Sequence, residues 1–241
     1  MKEKIYTIPI NETFDKIAED NSIGCPLCAL YREVEINETE TILGGAMMVP
    51  EIRQKTNVEG FCRTHYDMMF ESGGKLALGL ILESHLDTLK DDLKNSFSLM
   101  PAGSKQEKRI SELQHSCYIC SRVNATFEKM LENTVLLWQD EKEFREKFSK
   151  MPYFCLDHYK ALIETAKREL PKKVFADFYE ALSAIENGYL AKLGGDISWF
   201  CKKFDYRYEN EPWYDSKDAI ERSFKFLSGD LHKITKKPGQ N

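Results

Sequence analysis

The sequence predicts an all-α protein, two duplicated metal-pinned helical units followed by an aromatic C-terminal tail, and three observations predict it. First, the 241 residues include only 13 glycines and 8 prolines, too few for a turn-rich all-β fold, while the helix formers Glu, Lys, Leu and Ala dominate. Second, long runs free of Gly and Pro carry apolar residues at helical spacing. Leu27, Leu30, Tyr31 and Val34 mark one such face, and Leu76, Leu80, Leu82, Leu86, Leu89 and Leu93 another. Third, the pattern Cys-x-x-Cys followed by Cys-x-x-His occurs twice.

The repeat sets the element order. Cys25 and Cys28 recur 92 positions later as Cys117 and Cys120, and Cys62 and His65 recur 93 positions later as Cys155 and His158. Glu51, Arg53 and Lys55 match Glu143, Arg145 and Lys147, and Phe61 and Tyr66 match Phe154 and Tyr159. An inserted residue between Lys55 and Phe61 accounts for the change of offset, and a duplication explains the whole set. This divides the chain into an N-terminal arm with the first repeat (1–99), a linker (100–115), the second repeat (116–198) and the tail (199–241).

In the first copy, Pro26 suits the first position of a helix, where a missing N–H is harmless, and that helix runs to Ile42 before Gly44-Gly45 stops it. Pro50 opens a short helix to about Lys55. Phe61-Cys62 starts another, interrupted near Gly73-Gly74, and Lys75 begins a third that reaches about Asn95. Pro101 to Lys105 reads as linker. The second copy repeats the plan with helices from Cys117 to Trp138, near Glu141 to Lys150, and from Cys155 to Leu170. Pro171 restarts the chain into a helix reaching Leu193, ended by Gly194-Gly195.

The tail crowds Phe200, Phe204, Tyr206, Tyr208, Trp213 and Tyr214 among charges. Extended chain is expected there, then a helix from Ser216, as N-cap, to Leu227. Exposed aromatics at this density are costly, so the tail is expected to wrap and cover the repeats; the alternative is a binding surface.

Each repeat holds three Cys and one His, which fills the tetrahedral shell of a zinc ion and leaves no position for water or substrate. That is a structural site. The simplest assignment gives one ion to Cys25, Cys28, Cys62 and His65 and the other to Cys117, Cys120, Cys155 and His158. The pairs can also cross, with Cys25 and Cys28 meeting Cys155 and His158. An iron–sulfur cluster is the alternative cofactor, because Cys-rich sets hold clusters too. Helix N-termini beside the thiolates would supply N–H donors and partial positive charge, with Arg63 adding to it.

The remaining candidates have ordinary readings. His115, two residues before Cys117, has no counterpart in the first copy and reads as a surface histidine. His85 lies between Glu83 and Asp87 on what reads as a solvated helix. Cys201, the unpaired cysteine, reads as a buried small hydrophobe. The segment from Gly44 to Pro50, with Met47 and Met48 and followed by Arg53, departs from the second copy and is a candidate ligand or partner site.

Composition narrows the function. Net charge is −5, and no basic block exceeds the pair Lys236-Lys237, so no broad nucleic-acid surface is expected. The first fifteen residues lack the apolar core of a signal peptide, and the longest apolar run is far too short to span a bilayer. A cytoplasmic protein is expected, where cysteines serve metal or redox chemistry more often than disulfides. No nucleotide-binding loop, nucleophile elbow or His-Glu-x-x-His motif is present.

Taken together, Cys25-Pro-Leu-Cys28, Gly45-Ala-Met-Met-Val-Pro50, Gly60-Phe-Cys-Arg-Thr-His65, Leu82-Glu-Ser-His-Leu-Asp87, Lys203-Phe-Asp-Tyr-Arg207, Pro212-Trp213 and Ser216-Lys-Asp-Ala219 resemble an uncharacterised bacterial family of unknown function. The resemblance implies a bacterial cytoplasmic protein and brings no activity or catalytic residues with it. Three functions follow as expectations. The first is a structural zinc protein acting as an interaction or adaptor module toward an unknown protein partner or small ligand. The second is a thiol-based redox or metal-responsive protein. The third is an enzyme with zinc as scaffold and a pocket near Met47, Met48 and Arg53.

Overall fold

The computed structural model describes residues 5–94 and 101–231. Among these there are eleven α-helices and no strand, so the protein is all-α as expected. In chain order they are α1 (Thr7–Glu19), α2 (Pro26–Leu43), α3 (Pro50–Glu59), α4 (Arg63–Glu71), α5 (Lys75–Asp92), α6 (Ser104–Gln114), α7 (Tyr118–Asp140), α8 (Lys142–Phe148), α9 (Leu156–Glu169), α10 (Lys172–Lys202) and α11 (Ala219–Ser228). The expected end at Asn95 and the Lys236-Lys237 pair lie outside the described residues. No described helix is long and apolar enough to cross a membrane.

The chain forms two compact units, Met1–Arg32 with Glu128–Asn241, and Glu33–Phe127. This division follows a different line from the sequential one drawn from the repeats, because the boundaries fall inside α2 and α7. The larger unit packs α1 against α8, α9 against α10, and α11 against both α9 and α10. Phe148 centres its core, with ring centroids 5.0 Å from Phe154, 5.6 Å from Phe178 and 6.1 Å from Phe14, all fully buried. The smaller unit packs α3 and α4 on α5, and α6 on α3. Arg53 ties that arrangement together. Its guanidinium donates to Ser84 Oγ (2.7 Å), Met47 O (3.5 Å) and Leu80 O. Arg145, its sequence counterpart, donates to Trp138 O (2.6 Å) and Gln139 O. Met47 and Gln139 are themselves 92 positions apart, so the matched arginines make a matched bond.

Several local expectations are corrected. The N-terminal arm contains α1, whose Ile10, Phe14 and Ile17 are fully buried at helical spacing. The segment expected as linker, 100–115, carries α6 from Ser104 to Gln114. Gly194-Gly195 does not end α10. A glycine inside a helix costs about 1 kcal/mol, but the last turns are anchored by Trp199 against Tyr208 and Tyr214 and by Phe200 against Trp213.

The tail is not extended chain but two 3-10 turns, Tyr206–Tyr208 and Tyr214–Ser216. The cause is Lys203, whose buried Nζ donates to the carbonyls of Tyr208, Glu209 and Glu211 at 2.6–2.8 Å and lies over the Trp213 ring. One ammonium gathers three carbonyls and curls the chain around itself. Ser216 is not the N-cap of α11; its hydroxyl donates to Trp213 O (2.6 Å), and Asp218 holds the cap position. Nor are all the aromatics covered, since Phe204, Tyr206 and Tyr214 are 75%, 85% and 68% exposed.

Candidate metal centres

The eight expected ligands come together as two tetrads, in the crossed arrangement. Cys25, Cys28, Cys155 and His158 form one, within the larger unit; Cys62, His65, Cys117 and Cys120 form the other, within the smaller. The within-repeat assignment is therefore corrected. Each tetrad draws one pair from a Cys-x-x-Cys at the start of α2 or α7 and the other from a Cys-x-x-His at the start of α9 or α4. Cys62 and Cys155 occupy the N-cap positions of α4 and α9, and each His, three residues on, falls on the same face of its helix.

The donor geometry fits a single ion. His158 Nδ1 stands 3.5, 3.4 and 3.2 Å from the sulfurs of Cys25, Cys28 and Cys155, and the Cys28 and Cys155 sulfurs are 3.6 Å apart. His65 Nδ1 stands 3.2, 3.3 and 3.4 Å from Cys62, Cys117 and Cys120, with 3.8 Å between the Cys62 and Cys120 sulfurs. Metal–sulfur and metal–nitrogen bonds of zinc length in a tetrahedron separate two sulfurs by about 3.8 Å and a sulfur from a nitrogen by about 3.5 Å. All seven cysteines are free thiols.

Side-chain chemistry reinforces the donor set. Among the protein groups alone, Cys155 is held far below the ordinary thiol range by hydrogen bonds from Cys25 and Cys28, with burial opposing and His158 assisting. Cys28 is pushed up to about 12, foremost by its hydrogen bond to Cys155, and burial drives Cys25 upward. In the other tetrad burial works to raise Cys117, but His65 and the backbone N–H groups of Cys120 and Cys62 outweigh it and lower it to about 6. Burial opposes the His65 imidazolium, yet Cys117 and Glu35 raise it to about 10. Each cluster thus already stabilises one thiolate, the form a metal takes.

Sequence reasoning missed two outer groups. Glu35, buried on α2, places Oε1 3.1 Å from His65 Nε2, close enough for an ion pair but off the line of a hydrogen bond, while the other ring nitrogen faces the sulfurs. Gly229-Asp230, after α11, lies over the first tetrad. The Asp230 N–H donates to Cys28 Sγ at 3.4 Å, and a side chain on Gly229 would lie 3.6 Å from the sulfurs of both Cys28 and Cys155. Glu35 was readable as an acid bordering the apolar face of α2, seven residues after Cys28. Gly229-Asp230 left no sequence signal.

The other candidates stand outside the tetrads. His115 is exposed and faces Ser111 O at 2.7 Å. His85 is buried rather than solvated, its Nδ1 2.8 Å from Asn57 O. Cys201 is exposed rather than buried. Arg63 is turned to Asp67 at 2.9 Å and not to the sulfurs. Met48 is 74% exposed while Arg53 is committed to structural bonds. A cleft of about 840 Å³ opens instead in the larger unit, where Tyr153 and Tyr189 stack at 4.3 Å, and its Lys192, Arg222 and Lys225 are each paired with an acid.

No curated protein and no solved structure matches the chain. The match that does emerge agrees with the resemblance carried by the cysteine and tail motifs: over residues 1–234 the chain matches, and belongs to, the family of unknown function DUF6062.

Proposed function

We propose that the protein binds two zinc ions, one in each Cys3His tetrad, and that both are structural. The observation that carries this is the closure of each donor set: three sulfurs and one nitrogen within 4.8 Å of one another, at separations suited to one tetrahedral ion. A multi-iron cluster spreads its thiolates over several iron atoms and needs a wider cage, so the tightness of the set favours a single ion over an iron–sulfur cluster. With four protein donors the shell has no open position for substrate. Each ion would pin two helix starts that are distant in sequence, worth roughly 10 kcal/mol or more of apparent folding energy.

The role that suits such a scaffold is an interaction or adaptor module, acting in a reducing compartment such as the cytoplasm, where the thiols stay available to metal. The exposed Phe204, Tyr206 and Tyr214 supply the kind of surface a partner would cover. The test is elemental mass spectrometry on untagged protein with a visible spectrum. Two zinc ions per chain and no visible band is the expected result. Iron with a broad charge-transfer band would replace zinc by redox chemistry, and a folded chain with less than one metal would refute the reading.

A further inference from the structure

We infer that the two metal centres are unequal: a C-terminal strap seals the Cys25/Cys28/Cys155/His158 centre, and the Cys62/His65/Cys117/Cys120 centre is the one open to soft electrophiles and chelators. The inference rests on the two-metal reading and adds to it which ion is exchangeable and which thiolates react.

Every ligand of the first centre is buried, with Cys155 and Cys25 at 0% and 1% exposure. The burial is completed by Gly229-Asp230. Gly229 adopts φ +77°, a conformation open to glycine, and this brings the backbone against the two sulfurs. The Asp230 N–H points at Cys28 Sγ. Arg32, one turn after Cys28 on α2, holds the strap down: its guanidinium donates to Asp230 O and lies 3.4 Å from the Asp230 carboxylate. The strap therefore excludes water, supplies an N–H to a thiolate and is latched by an ion pair.

Among the described residues the second centre has no such strap. Its Cys62 and Cys120 sulfurs, 3.8 Å apart, belong to partly exposed residues, while His65 and Cys117 are buried. Its outer group is the buried Glu35, whose carboxylate lies 3.1 Å from His65 Nε2, the ring nitrogen turned away from the sulfurs. Among the described residues no segment has to lift for a reagent to approach the Cys62–Cys120 edge. At the first centre the strap must lift, a local opening whose free energy adds to the barrier.

The chemistry is that of a metal thiolate meeting a soft electrophile. With iodoacetamide the sulfur forms a bond to the methylene carbon and iodide leaves with the bonding pair. The alkylated sulfur then donates weakly and the ion is lost.

The experiment uses the full chain carrying two zinc ions, counted beforehand. Release into excess 4-(2-pyridylazo)resorcinol is followed in time, and parallel samples are pulsed with iodoacetamide and mapped by mass spectrometry. The expected release has two phases differing by roughly tenfold or more, with Cys62 and Cys120 labelled in the fast phase beside the exposed Cys201, and Cys25, Cys28 and Cys155 in the slow one. Ending the chain after Ser228 speeds the slow phase alone. Arg32→Ala, which keeps the whole chain, does the same to a smaller extent and guards against a truncation that misfolds. Simultaneous loss of both ions, or labelling of Cys25 and Cys28 as fast as Cys120, overturns the inference while leaving two-metal binding intact. A chain with no zinc at the initial count overturns both.

Discussion

The Nε2 atom of His65 lies 3.1 Å from Oε1 of Glu35, with both side chains almost completely buried, while the other ring nitrogen faces three sulfurs. The approach lies off the line of a hydrogen bond, so the carboxylate acts on the ring by its charge, favouring the proton on Nε2 and leaving Nδ1 as the donor. Glu35→Ala removes that charge from a buried site. The affinity of the second centre for zinc should fall about 10- to 100-fold. Glu35→Gln keeps a carbonyl dipole there and should fall less. Competition against a chelator of known affinity reads both, and the first centre serves as an unchanged internal standard.

The crossed pairing makes its own prediction for cysteine substitutions. Cys25→Ser and Cys155→Ser lie 130 positions apart yet should produce the same deficit, a loss of one zinc per chain, because they belong to one tetrad. Their double mutant should lose little more than either single, since partners in one site are strongly non-additive. Cys25→Ser with Cys62→Ser, from the same repeat, should instead remove both ions. Zinc counts with urea unfolding of the four proteins check this, and the opposite grouping would restore the within-repeat assignment.

The contrast between ligands and pairing shows what sequence carried. Residue type and spacing picked out all eight members of the two tetrads, because Cys-x-x-Cys and Cys-x-x-His are local geometries of helix starts. Which pair meets which is a property of how α2, α4, α7 and α9 pack, and near-identical motifs offer no local signal to choose. The same limit explains α10. Gly194-Gly195 is a genuine local stop, overridden by Trp199 and Phe200 finding partners among residues 208–214. Lys203 is the plainest case: nothing in its neighbours announces a buried ammonium serving three carbonyls.

Glu186 predicts a pH dependence. It is buried on α10, where Oε2 accepts from the Phe154 N–H at 3.2 Å and Oε1 has no hydrogen-bond partner among the described residues. Burial pushes its carboxyl up to about 7, with the Cys155 thiolate adding and the Phe154 N–H opposing. The folded chain therefore keeps a proton that the unfolded chain, near the ordinary 4.5, has already lost. Stability should fall as pH rises from about 4.5 to about 7 and level off above, by up to about 3 kcal/mol from this group. Glu186→Gln retains the acceptor for Phe154, cannot ionise and should flatten that slope. It should be at least as stable as the parent at pH 8 and no more stable at pH 4, as read by urea unfolding of the metal-loaded protein across pH.

Two glycines should respond to the same substitution with opposite sign. Gly60 ends α3 at φ +60°, and its carbonyl accepts the Tyr118 N–H at 3.0 Å, where α7 begins beside Cys117. A methyl there would sit 2.9 Å from Leu113 Cδ1 and 3.2 Å from the His85 ring. Left-handed strain and close contact together should cost about 1–3 kcal/mol. Because Gly60 lies two residues before Cys62, zinc should also leave the second centre faster. Gly79 lies inside α5 with no atom within 4 Å of an added Cβ and without a positive φ. Gly79→Ala should therefore stabilise by about 0.5–1 kcal/mol, through lower unfolded-chain entropy and better helix propensity. Thermal unfolding of the two variants separates the effects. Equal tolerance of alanine at both positions would mean that the turn at Gly60 does not constrain the start of α7.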